Sequence, residues 1–204
     1  MKQNLLLLFV ITFLSGTVTA QFPKGSMFIG GQISGGKSEN TGMDQSHFSI
    51  TPAIGSAIKQ NLFLGADLTY GKTRYKNTVG PESKGEGYGA GIFLRQYIPI
   101  SKRFFFFAQG RAGYFHERNK NTSGTFLTTS TIRGGSLTLY PGISFALGKI
   151  LHIETGFNNL AVVSYSSSTS KQTGFPDQKS TNFAFSTSVG ATNLNFALRI
   201  IIPK

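Results

Sequence analysis

The chain contains no cysteine and no tryptophan. Without cysteine, disulfides, thiolate chemistry and cysteine-ligated metal sites are excluded. Acids are scarce, with Asp and Glu totalling 8 against 20 Lys and Arg, for a net charge of +12. Long apolar runs are also lacking. Leu5 to Leu14 stands alone, and it falls far short of the ~20 residues that a spanning helix needs. Lys2 precedes this run and Val18-Thr19-Ala20 follows it, the layout of an export signal over residues 1–20 with a cut between Ala20 and Gln21. Residues 21–204 then form one mature domain, and no helix is expected to cross the inner membrane. What the chain has in quantity is glycine, at 25 residues, and phenylalanine, at 19. That composition favours β structure.

Eight amphipathic strands are predicted, over 26–35, 47–59, 62–75, 86–99, 103–117, 131–147, 151–166 and 182–202. Their connections alternate in length. Lys59-Gln60-Asn61, Ile100-Ser101-Lys102 and Gly148-Lys149-Ile150 are short. Segments 36–46, 76–85, 118–130 and 167–181 are long, polar and read as loops. Short turns on one side and long loops on the other describe an outer-membrane barrel. An even strand number puts both termini on the short-turn side. Pro52 and Pro141 fall mid-strand, where a bulge is expected. Strand seven loses phase near Asn158-Asn159, and strand eight switches face between Phe185 and Leu194. The stretch from Pro52 to Leu64 is echoed from Pro141 to Ile153, as repeated hairpins would be.

Alternation assigns the faces. Ile50, Ile54, Leu64, Leu68, Ile92, Leu94, Leu137 and Ile143 share the large apolar face; the other face is mostly Gly, Ser, Thr and Ala. A soluble barrel would leave that small, glycine-rich face in water. A membrane barrel turns the large face to lipid and packs the small one inside, where eight strands leave room only for side chains. The expected fold is an all-β, closed, eight-stranded, antiparallel, up-and-down transmembrane β-barrel. Phe48, Tyr70, Tyr88, Tyr114, Tyr165 and Phe183 fall near the long-loop ends of their strands, as an interfacial aromatic girdle would. The short-turn side carries Lys24, Lys59, Lys102, Arg103, Lys149 and Lys204 and no acid, which suits anionic lipid head groups. Nucleic-acid binding is not expected, because the basic residues sit at strand ends and not in one stripe.

The hairpin Thr51-Pro52-Ala53-Ile54-Gly55 followed by Asn61-Leu62-Phe63-Leu64-Gly65 resembles the repeated hairpin of small outer-membrane β-barrel domain proteins, a porin-like group related in architecture to the OmpA membrane domain, OmpX and the opacity proteins. The resemblance spans the mature chain. It implies a cell outer-membrane location, insertion by the barrel-assembly machinery, contact with outer-membrane lipids and lipopolysaccharide, and anchoring, adhesion or envelope roles without catalytic residues. Many such barrels end on an aromatic residue, whereas here Arg199-Ile200-Ile201-Ile202-Pro203-Lys204 follows Phe196.

The polar face holds Asp67, Arg95, Gln109, Arg111, Glu154 and Arg199, read as a structural interior network. Asp67 is expected to pair with Arg95, and Glu154 with Arg199, because buried charges need partners. Phe63, Phe93, Tyr97, Phe105 and Phe107 share the inward phase and would plug the short-turn end, so a general diffusion pore is not expected. His47-Phe48-Ser49 has the His-x-Ser spacing of outer-membrane lipid A deacylases, but both residues read as inward and no acid partner is evident. His152 and Glu154 share a face, and two ligands do not make a metal site. No catalytic residue, cofactor or metal is therefore assigned. The expected protein is a monomeric, non-enzymatic barrel whose long loops contact any surface ligand. The alternatives are an exported soluble β-barrel that binds a small apolar ligand and, more remotely, a lipid-modifying hydrolase.

Overall fold

A computed structural model describes residues 21–40, 43–77, 82–123, 126–157, 160–187 and 194–204. The signal-peptide reading over 1–20 lies outside these residues. Among the described residues there are ten strand segments: β1 (Met27–Asn40), β2 (Met43–Lys59), β3 (Leu62–Asn77), β4 (Glu82–Pro99), β5 (Phe104–Ser123), β6 (Phe126–Ala146), β7 (Leu151–Phe157), β8 (Ala161–Gln172), β9 (Gln178–Thr187) and β10 (Leu194–Ile202). They make eight passages, because β7 and β8 are two halves of the seventh and β9 and β10 are two halves of the eighth. All neighbours are antiparallel, and β1 pairs with β10 to close the ring. The ring closes near the termini. There β6 pairs with β7, and β7 with β10. Farther out β6 pairs with β8, and β8 with β9. The β1–β10 ladder stops at Gln32↔Ala197, and among the described residues β9 pairs only with β8.

The connections differ from the sequence reading. The expected long loops 36–46, 76–85, 118–130 and 167–181 are mostly strand. Hairpin pairing continues through Asn40↔Met43, Lys76↔Glu82 and Ser123↔Phe126. Ser, Thr, Asn and Lys suggested loops, but a sheet with both faces in water accepts them once the hairpin ladder is running. The bulge expected at Pro52 is also absent. Gly31↔Pro52 lies in an unbroken β1–β2 ladder, and the β2–β3 register is the same on either side of it. The irregularity falls instead between Ala57 and Lys59, beside the turn. At Pro141 the expectation is closer. The β6 ladder to the seventh passage breaks between Leu139↔Ala161 and Gly142↔Gly156, so the extra residues lie on the seventh passage. Asn158-Asn159, and residues 188–193 of the face switch expected between Phe185 and Leu194, lie outside the described residues.

The side chains sort as alternation predicts. One set of large apolar residues, including Leu68, Ile92, Leu94, Leu137 and Leu198, points out and stays exposed. Phe28, Phe63, Phe93, Tyr97, Phe105, Phe107 and Tyr140 point in and are buried together. Phe22 joins them from outside the strands. Its ring stacks on Phe105 at 4.9 Å and meets Tyr97 edge-on at 5.1 Å. Asn61 holds it there, accepting a hydrogen bond from the Phe22 amide at 2.7 Å and donating its own amide to the Phe22 carbonyl at 3.0 Å. Asn61 also takes the turn's left-handed backbone conformation, with φ at 58°, which asparagine tolerates better than most residues. One turn residue thus closes the β2–β3 hairpin and ties down the N-terminal segment that corks the barrel.

Candidate functional site

The interior above the aromatic cork carries the charges. Glu154 on β7 is fully buried and lies between two guanidinium groups. Arg95 donates to its Oε2 from Nη1 at 2.6 Å, and Arg199 donates to the same oxygen from Nε at 2.5 Å. Tyr97 donates its hydroxyl to Oε1 at 2.5 Å. Arg95 Nε donates to Gln109 Oε1 at 2.8 Å. Aromatic faces surround the cations, with the Arg95 guanidinium 4.4 Å from the Phe107 centroid and that of Arg199 4.9 Å from Phe28. Such contacts stabilise a desolvated cation but supply no counter-charge.

A second cluster lies farther out. Arg111 grips Asp67 through two nitrogens, with Nε 2.8 Å from Oδ2 and Nη2 2.6 Å from Oδ1. The expected Asp67–Arg95 pair is therefore corrected: Asp67 belongs to Arg111 and Arg95 to Glu154. The reason is stagger. Asp67 faces Gly91 across the β3–β4 ladder, and Gly91 lies two rungs along β4 from Phe93, which faces Arg111 across β4–β5. Arg95 pairs instead with Phe63, deeper in the barrel. Gly91 makes the longer reach possible, since a Cβ there would sit 2.6 Å from the Arg111 guanidinium carbon. The expected Glu154–Arg199 pair forms as read. Sequence reasoning missed Tyr97 as a donor to Glu154, and it missed Phe22, which precedes the alternating pattern.

The other singled-out residues take these places. Phe48, Tyr70, Tyr88, Tyr114, Tyr165 and Phe183 are all exposed on the outer face. Tyr70 faces Tyr88 directly, while Tyr114, Gly135, Tyr165 and Phe183 follow one rung across four strands. Toward the termini, Phe104 and Phe145 meet on the same outer face at 4.7 Å. His47 and Ser49 line the interior cavity. His152 turns its Nδ1 to Ser144 Oγ at 3.1 Å.

These features define a class: an antiparallel β-barrel of eight passages with an apolar outside, a cork at one end and a polar cavity toward the other, built to span a membrane. No protein-family model matches the chain, and no curated protein matches it in sequence. Solved structures that it resembles are outer-membrane β-barrel proteins. Neisserial surface protein A is similar at 15% identity, with 89% of this chain and 97% of that one covered and a TM-score of 0.42. A major outer membrane protein from Thermus thermophilus shares 8% identity, with coverage of 87% and 99% and a TM-score of 0.45. The translocator domain of the autotransporter NalP from Neisseria meningitidis shares 11%, with coverage of 98% and 93% and a TM-score of 0.41.

The cork has a direct consequence. Phe22, Phe63, Tyr97, Phe105 and Phe107 are all buried and fill the bore at the terminal end. Planar-bilayer recording of the pure protein is expected to show no large steady conductance. A porin-like step would mean that the cork leaves the bore.

Proposed function

We propose that this is a monomeric, non-enzymatic integral protein of the outer membrane that acts at the cell surface. Lipid and lipopolysaccharide contact its apolar belt, and the barrel-assembly machinery inserts it after removal of residues 1–20. The observation that carries this reading is the length of the strands beyond the outer aromatic band. β5 and β6 continue for a further stretch above Tyr114, paired from Phe115↔Gly134 to Ser123↔Phe126. Their neighbours do the same, so the barrel wall rises as a polar palisade and not as separate loops. Its surface carries ion pairs between Arg74 and Glu82, Lys72 and Glu86, and Lys171 and Asp177. Hydrogen bonds from Arg74 and then Lys84 hold the Glu82 carboxyl below the usual carboxylate range. A wall with this mix of charge and hydroxyl groups suits contact with glycans, phosphates or another cell's surface, while the lipid-facing residues below have no such freedom.

The interior disfavours the other two readings. A carrier of a small apolar ligand needs an apolar pocket, and this one is walled by Asp67, Gln109, Arg111 and Arg199. A lipid hydrolase needs its nucleophile on the lipid side, and Ser49 and His47 line the inside. The experiment is to replace the outer part of the β5–β6 hairpin, residues 118–131, by a short turn. Trimmed protein is expected to keep its heat-resistant folded mobility on gels, because the lower ladder is intact, and to lose adhesion of expressing cells to surfaces. Failure of the trimmed chain to assemble, with adhesion altered only by changes to the belt, would reverse the roles of palisade and barrel.

A further inference from the structure

The interior cavity has about 850 Å³ of space. It runs from Arg199, Gln109 and Tyr140 at its floor toward His47 and Glu117 at the outer end. The charges on its floor do not balance. Among the described residues, the floor and the cluster beneath it hold the guanidinium groups of Arg95, Arg111 and Arg199 against the carboxylates of Asp67 and Glu154. Asp67 is taken by Arg111. Glu154 alone serves both Arg95 and Arg199, through one oxygen. Glu117 lies six residues beyond Arg111 on β5, about 20 Å farther out along the strand, too far to act as the missing partner. One positive charge is left over in a desolvated place, where unpaired charge is costly.

Hydrogen bonding shows the same deficit independently. Arg95 Nη2 and Arg199 Nη1 are buried and meet no acceptor. Gln109 gives its carbonyl oxygen to Arg95 Nε, which leaves its NH₂ group as a donor at the cavity wall. Arg111, whose side chain is 21% exposed, lines the same space. The fork geometry of guanidinium groups matches planar or tetrahedral oxyanions.

We propose that the cavity is an oxyanion-binding cup, in which a carboxylate or phosphate group sits over Arg199, Arg111 and Gln109 and supplies the missing negative charge. The inference needs only the barrel interior and not the surface role argued above. The oxyanion arrives either as a free small anion or as the anionic end of an alkyl amphiphile, and the two differ only in what trails from the bound group.

The test is calorimetric titration of the purified protein in non-ionic detergent and low salt. One arm uses inorganic phosphate and the other dodecyl phosphate. Saturable one-to-one binding of inorganic phosphate is expected, with equal affinity for dodecyl phosphate if the free ion is the ligand and at least about tenfold tighter binding of dodecyl phosphate if the trailing chain is recognised. Arg199→Gln should abolish binding in both arms. It should also still fold, because removing that one charge leaves Arg95 with Glu154 and Arg111 with Asp67. Gln109→Leu changes no charge and should weaken binding without abolishing it, which keeps the proposal testable if Arg199→Gln does not fold. Absence of saturable binding by wild type in both arms, or equal binding by wild type and Gln109→Leu, overturns it.

Discussion

Replacing Glu154 by glutamine will destabilise the barrel more than any other single change of similar size. Breaking a buried ion pair by removing one partner costs about 3–5 kcal/mol, because the remaining charge is stranded in a poor solvent. Here one carboxylate serves two arginines, both buried. The substitution preserves volume and leaves Tyr97 an oxygen to donate to, so the loss is electrostatic and not a packing defect. The expected drop is at or above the upper end of that range. Urea unfolding of the refolded protein in lipid, read by loss of the heat-resistant band, measures it. The informative comparison is Arg199→Gln, which removes a cation from the same cluster and should cost much less, since Arg95 and Glu154 remain as a balanced pair. Equal costs for the two would show that Glu154 is not shared.

The inward and outward faces are legible in the sequence because a strand's side chains alternate with period two, and lipid enforces that period on the outer face. That rule alone places Ile92, Leu94 and Leu137 outside and Phe63, Tyr97 and Glu154 inside, as the structure has them. Pairing inside the bore is less legible. Counting residues from the short turns puts Asp67 beside Arg95, but tilted strands are staggered, and Asp67 reaches across Gly91 to Arg111. A glycine among glycines gives no sign that it is the opening for an arginine. Phe22 is hidden for a different reason: it belongs to no strand, and only the fold-back onto Asn61 brings it into the bore. The hairpin extensions read as loops because Ser, Thr, Asn and Lys are common to turns and to water-exposed sheet. Composition alone does not separate the two, whereas the continuing ladder does.

Changing Ile92 to lysine separates a membrane barrel from a soluble one in a single measurement. Ile92 is 63% exposed. In water, lysine at so open a position would leave stability unchanged to within about 0.5 kcal/mol or improve it slightly. In lipid the same change puts an ammonium group in hydrocarbon. From Tyr88 in the outer aromatic band to Ile98 near the terminal end, β4 rises about 33 Å along the strand, or roughly 25 Å along the normal when tilted about 40°. Ile92 falls near the middle of that span, and lysine at the midplane of such a barrel costs about 2–4 kcal/mol. The expected result is a loss of that size in reversible unfolding from bilayers. Tyr75→Lys provides the control, because Tyr75 is also exposed but lies beyond the aromatic band, where the wall carries Arg74 and Lys76. Lysine there should cost almost nothing. If both substitutions were neutral, the apolar outer face would be a surface that tolerates water, and the protein would have to cover that face with something other than lipid.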